Sequence, residues 1–228
     1  MTYKVVELFD SIDGEGIRTG QPATFIRLAG CNLRCSYCDT LYALFGEDTP
    51  CEYTSMTLEQ IMQKVNPVYR RITLTGGEPL IADGVDKLCR RLLEDGYEVN
   101  IETNGAVSVH AFRRLMPDTD KLFFTVDYKL PSSGMQSRML DTNFTLLHPC
   151  DVIKFVVGSS DDVTVMLDVM KRITPAYDTM PHIFVGAVYG KYEATDLVNV
   201  LLTEPVMKDA RFQVQLHKLI WNPDERGV

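Results

Sequence analysis

The chain has 228 residues, 45% of them hydrophobic, which is enough for one sizeable core and makes a single domain over residues 1–228 the expectation. A formal net charge of −8 and a pI near 5.0 exclude a protein whose business is non-specific binding to a nucleic-acid backbone. No apolar run approaches membrane-spanning length and the polar start lacks a signal-peptide core. A cytoplasmic protein is therefore expected, with its six cysteines serving metal or redox chemistry and no disulfide framework.

Short β-branched runs alternate with helical stretches along the chain. Strands are expected over residues 23–28, 72–75, 98–102, 122–126, 152–157, 182–187 and 211–216. Thr57, with Gln60 three residues on, forms a capping box that starts a helix over 57–65. Val85, Leu88, Cys89, Leu92 and Leu93 make one apolar stripe that ends at Gly96, a C-terminal cap. Further helices are expected over 109–116, 161–173 and 193–202. Nearly continuous hydrophobic strands such as 153–157 suit parallel strands covered on both faces. The alternation means βαβ units and a parallel sheet, arranged either as an incomplete α/β barrel or as a doubly wound sheet. The chain is short for a full eightfold barrel.

Three cysteines, Cys31, Cys35 and Cys38, follow the strand at 23–28 within eight residues. With no fourth cysteine or histidine at ligand spacing they make a poor closed zinc site. They suit an iron–sulfur cluster that keeps one iron free of protein, because thiolate is the usual ligand of such clusters. The plain alternative is buried cysteines or a partial zinc knuckle in a binding module without catalysis. Cys51, Cys89 and Cys150, and His110, His148 and His182, have no partners at metal spacing and are expected to be packing or surface residues. Three further polar or glycine-rich segments follow expected strands: Thr75-Gly76-Gly77-Glu78-Pro79, Glu102-Thr103-Asn104-Gly105 and Asp127-Tyr128-Lys129. Parallel α/β folds keep their sites at the C-terminal strand ends, so all four segments should converge on one rim. There, Gly76 and Gly77 would let a ligand approach the backbone closely.

The cysteine spacing resembles that of the radical S-adenosylmethionine (SAM) enzymes, and Gly76-Gly77-Glu78-Pro79 is similar to their Gly-Gly-Glu-Pro motif. The resemblance implies a truncated parallel β/α barrel of the radical SAM type. It implies a [4Fe–4S] cluster on Cys31, Cys35 and Cys38, with SAM chelating the open iron. SAM-binding residues are then Tyr37, Gly77, Glu78, Glu102, Asn104, Asp127, Tyr128 and Lys129, with Glu78 acting structurally.

Residues 7–16, Arg27, Cys38-Asp39-Thr40, Gln215-Leu216-His217 and the ending Arg226-Gly227-Val228 narrow the resemblance. From Lys4 to Val228 the chain is similar to the 7-carboxy-7-deazaguanine synthase family. That implies conversion of 6-carboxy-5,6,7,8-tetrahydropterin to 7-carboxy-7-deazaguanine with loss of ammonia. Hydrogen abstraction by a 5′-deoxyadenosyl radical would start the reaction, and Mg²⁺ would assist the ring contraction. Thr40 matches the Mg²⁺ ligand. Ile12, Asp13, Gly14, Glu15, Arg27, Thr75, His217 and the terminal carboxylate of Val228 match substrate contacts, so the tail is expected to touch substrate. A homodimer and an electron donor such as flavodoxin or ferredoxin are implied, with neither nucleic acid nor membrane as a partner. Many relatives carry Gln in place of Asp13 and Ser-Pro in place of Asp127-Tyr128. The rival within the class is an activating enzyme for a glycyl-radical enzyme, which acts on a protein.

Overall fold

The computed structural model describes residues 1–45, 51–222 and 225–228. Its strands are β1 (Thr2–Ile12), β2 (Pro22–Leu28), β3 (Thr54–Thr57), β4 (Arg71–Gly76), β5 (Glu98–Thr103), β6 (Leu122–Tyr128), β7 (Val152–Val157), β8 (His182–Ala187) and β9 (Ala210–Phe212). They form one nine-stranded sheet in the order β3-β1-β2-β4-β5-β6-β7-β8-β9. Neighbours from β2 to β9 are parallel, whereas β1 is antiparallel to both β2 and β3. The two edge strands do not pair with each other, so the barrel is partial. Its sides still approach: the Gly16 N–H donates to Gln213 Oε1 at 3.0 Å, and the Leu216 N–H to the Gly14 carbonyl at 3.2 Å.

Among the described residues six helices accompany the sheet: α1 (Leu58–Met62), α2 (Val85–Glu94), α3 (Val109–Arg113), α4 (Ser160–Ile173), α5 (Ala194–Thr203) and α6 (His217–Ile220). Thr57 and Gln60 make the expected reciprocal capping box, but α1 stops at Met62, short of residue 65. α2 buries its stripe of Val85, Leu88, Cys89, Leu92 and Leu93. It ends at Gly96, whose φ of 87° no other residue type adopts as cheaply. The β6–β7 connection carries only short 3-10 turns at Pro131–Ser133, Gln136–Arg138 and Asp141–Phe144, broken by Pro131 and by Gly134 at φ 73°.

Alternation along each strand separates two faces. Ile72, Leu74, Val99, Ile101, Phe124, Val126, Ile153, Phe155 and Val185 belong to the core with Leu88, Leu92, Phe112, Met166, Val169 and Leu197. Burying each such side chain contributes about 1.5–3 kcal/mol. The opposite, concave face is polar. Arg18, only 4% exposed, closes it at the start of β4 and β5. Its Nε pairs with Asp13 at 2.9 Å, and its Nη2 donates to the Ile72 carbonyl at 3.0 Å and to Thr73 Oγ1 at 2.5 Å.

Two strands escape the sequence reading, β1 and β3. Expected strand 211–216 ends at Phe212, because the chain turns there into α6 over the β1–β2 turn. Expected helix 109–116 ends at Arg113 and gives way to tight turns at Leu115 and Met116.

Candidate active site

The loop after β2 is shaped by its own backbone contacts. The Gly30 N–H donates to the Ala43 carbonyl at 2.7 Å and the Cys38 N–H to the Cys35 carbonyl at 3.3 Å. The Arg34 guanidinium donates to the carbonyls of Cys31 and Leu33 at 2.9 and 2.7 Å. A neighbouring loop clamps the far side, since the Ser36 N–H donates to the Ser133 carbonyl at 3.0 Å and Ser36 Oγ to the Ser132 carbonyl at 2.5 Å. Ser132 is itself held by buried Asp162 through its N–H at 2.8 Å.

The end of β4 lies directly against this loop. A Cβ on Gly77 would stand 2.3 Å from the Gly30 carbonyl oxygen, and one on Gly76 would stand 2.3 Å from the Leu28 oxygen. Both glycines are thus required by close backbone approach. Glu78, fully buried, accepts from the Leu80 N–H at 3.0 Å, Thr103 Oγ1 at 2.8 Å and the Asn104 N–H at 2.7 Å. Burial pushes its carboxyl up to about 7 against those donors. Asn104, so anchored, aims its Nδ2 at Cys31 Sγ at 3.6 Å, and the Leu33 N–H lies 3.4 Å from the same sulfur.

One cleft at the C-terminal strand ends is lined by Cys31, Cys35, Tyr37, Cys38, Asp39, Thr40, Gly76, Gly77, Asn104, Asp127 and Lys129. The four segments expected to converge on one rim do so. Lys154, Val156, Val188, Tyr189, Gln215 and Lys218 also line it. Lys154 carries no local motif and escapes sequence reasoning, and Lys218, which directly follows Gln215-Leu216-His217, receives no role from it. Lys129 Nζ pairs with Asp127 Oδ2 at 2.7 Å, leaving the buried Oδ1 without a hydrogen-bond partner. Burial pushes the Cys35 thiol up to about 11. Partial enclosure opposes ionisation of Asp39, but Lys218, the Thr40 hydroxyl, Lys154 and Arg27 outweigh it and hold the carboxyl below its ordinary value. The Thr40 hydroxyl donates to Asp39 Oδ1 at 2.9 Å.

The β1–β2 turn and the tail meet beside the cleft. A Cβ on Gly14 would stand 3.2 Å from His217 Nδ1, and Glu15 accepts from Lys154. Arg27 pairs with Glu7 at 2.8 Å, and its Nη1 lies 3.5 Å from the Gly76 carbonyl. Tyr42, whose hydroxyl also donates to Glu7, is covered by the Arg226 guanidinium at 3.8 Å from the ring centre. Thr75 stands opposite Arg27 in the sheet register. Glu102, Ile12 and Val228 are half-buried.

Two expected site residues are corrected. Tyr128 does not face the cleft: it is 4% exposed and packs on Phe144 and Phe155 in the core, because alternation along β6 turns Asp127 in and Tyr128 out. The Asp13 side chain is spent on Arg18 and on the Thr73 hydroxyl at 2.6 Å. Its N–H and carbonyl close the turn with Gln21 and Gly20. Glu78 acts structurally, as expected: its acceptors are committed to Leu80, Thr103 and Asn104, so it braces the site from behind and does not line it.

The donor set fits a cluster bearing an open iron: three thiols on one loop, N–H groups aimed at a sulfur, a backbone approach that admits no Cβ, and an orphaned carboxylate oxygen opposite. Among the described residues no three His, Cys, Asp or Glu side chains converge on a single ion. The fold and this site define a radical SAM protein, and residues 25–127 match the Radical SAM superfamily. The chain is 41% identical to the 7-carboxy-7-deazaguanine synthase of Clostridium acetobutylicum over 100% of both chains. It is 38% identical to that of Methanospirillum hungatei over 96% of this chain and 86% of that one. The crystal structure of QueE from Escherichia coli superposes with a TM-score of 0.69 at 24% identity, covering 94% of each chain. The chain belongs to the 7-carboxy-7-deazaguanine synthase family.

Proposed function

We propose that this radical SAM enzyme converts 6-carboxy-5,6,7,8-tetrahydropterin to 7-carboxy-7-deazaguanine with loss of ammonia. The observation that carries the reading is the meeting of the three-cysteine loop, the Gly76-Gly77 strand end and the Gly14-Glu15 turn with His217 around one cleft. In this reading Cys31, Cys35 and Cys38 hold a [4Fe–4S] cluster. Tyr37, the Gly77 backbone, Glu102, Asn104, Asp127 and Lys129 hold SAM. Bound together, cluster and SAM would supply the hydrogen-abstraction chemistry that starts the reaction.

The chain's own part is to bind, orient and enclose. Lys129 offers a cation to the SAM carboxylate, and Asp127 keeps that cation in place. Glu15 accepts from the guanidine-like N–H edge of the pterin, while Gly14 leaves room for His217 beside it. Arg27, a planar fork already oriented by Glu7, meets the substrate carboxylate. Thr75, the backbone near Ile12 and the Val228 carboxylate complete the substrate contacts. The Thr40 hydroxyl contributes one oxygen to Mg²⁺, a hard cation that retains waters and needs few protein ligands. We infer a homodimer, a flavodoxin- or ferredoxin-type electron donor and a cytoplasmic setting; among the described residues no helix is long and apolar enough to cross a membrane.

The test is an anaerobic assay of reconstituted, reduced protein with SAM, Mg²⁺ and 6-carboxytetrahydropterin, read by mass spectrometry. A product with the mass of 7-carboxy-7-deazaguanine is expected. Slow 5′-deoxyadenosine release without pterin turnover would overturn the substrate assignment and favour an activating enzyme.

A further inference from the structure

Lys154 belongs to none of the motifs that carry the family resemblance, yet it lines the cleft. β7 sets it in register beside Asp127 on one side and Phe184 on the other, and it lines the cavity with the cysteines. Its ammonium donates to Glu15 Oε2, with the two side chains 13% and 15% exposed. The charged and titratable groups that act on it come from five separate segments: Glu15, Asp127 and Glu102, Asp39 and His217. Burial disfavours its charge, but the surrounding carboxylates outweigh that and keep it an ammonium. A cation in so enclosed a position demands a fixed anionic partner, and a partner that loses it is left uncompensated.

Only one oxygen of Glu15 is occupied. Among the described residues no group donates to Oε1. A carboxylate pinned through one oxygen presents the other in a set direction, which is what bonding to the N–H edge of a planar heterocycle requires. We propose that Lys154 is a positioning residue for the substrate: it holds Glu15 so that the free oxygen accepts from the guanidine-like N–H edge of the pterin. The proposal rests on the pterin reading above.

The test measures anaerobic binding of 6-carboxytetrahydropterin to reconstituted, SAM-loaded protein as wild type, Lys154→Met, Lys154→Arg, Glu15→Gln and the Lys154→Met/Glu15→Gln double variant. Lys154→Met is expected to raise the pterin Kd about tenfold or more with SAM affinity close to wild type, and to lower the thermal midpoint because Glu15 is left uncompensated. Lys154→Arg should recover most of the loss. The double variant should bind no more weakly than Glu15→Gln alone, because the two residues act as one unit. An unchanged Kd in Lys154→Met, or losses that add in the double variant, would overturn the proposal. If Lys154→Met fails to fold, Lys154→Gln carries the same comparison. Wild-type protein that binds SAM but no pterin would instead overturn the functional reading, and this inference with it.

Discussion

Thr40 and Glu78 show how differently two polar side chains a short distance apart serve one cleft. Thr40 lies on the lining with its hydroxyl on Asp39. Thr40→Ala is expected to weaken Mg²⁺ affinity about tenfold, the lower end of what disturbing a metal's surroundings does, while SAM cleavage persists; identical Mg²⁺ titrations for variant and wild type would count against its role. Glu78 touches nothing in the cleft and acts through Asn104. Its carboxyl is raised from 4.5 to about 7 by burial, so between those values the folded state keeps a proton that the unfolded state has lost. Its contribution to stability is therefore full below about 4.5 and declines as pH rises through about 7. Glu78→Gln should remove that decline. Comparing denaturant midpoints of the two proteins from pH 5 to 8 checks it: the gap between them should change across that range, and parallel curves would refute the assignment.

At the scale of elements, the site exists because two strand ends touch. The Gly77 N–H donates to the Leu28 carbonyl at 3.1 Å and the Glu78 N–H to the Gly30 carbonyl at 2.8 Å, which locks the end of β4 to the loop that bears the cysteines. Gly77→Ala forces a methyl group into the Gly30 peptide and Cys31 Cβ, 2.7 and 2.8 Å away. Neither neighbour is a flexible side-chain tip, so the backbone must shift. Overpacking of this kind destabilises by about 1–3 kcal/mol, a drop of roughly 3–10 °C in Tm for a chain of this size. Iron content after reconstitution should fall too, and a variant with wild-type Tm and iron would contradict the account.

On the scale of the whole molecule, core and tail are separable. Among the described residues the last buried hydrophobic side chain is Met207, while the start of α6 is tied to the β1–β2 turn through Leu216 and Gly14. A chain ending at Trp221 is thus expected to keep its fold, its cluster and SAM cleavage, and to lose the Arg226–Tyr42 contact. Its KM for the pterin should rise tenfold or more. A truncated protein with an unaltered KM would remove the tail from the substrate site.

Local patterns carried most of what could be known in advance. The cysteine spacing, the paired glycines and the hydrophobic runs at 152–157 and 182–187 are short-range signals, and the elements they mark stand where expected. Even the orientation of Tyr128 was legible: alternation with Asp127 along an apolar strand already assigns the two to opposite faces. β1 and β3 were not legible, since Thr2–Ile12 mixes acidic and apolar residues without a clean period and becomes a strand by pairing with β2 and β3. The same holds for Asp13 with Arg18, and for Glu15 with Lys154, which lies 139 residues away. The sequence alone thus determined the fold class, the family and the place of the three-cysteine loop, because these depend on residue type and close spacing. Only the tertiary structure decided which charges face one another in the cleft, because ion pairing follows distance in space and leaves no periodic trace along the chain.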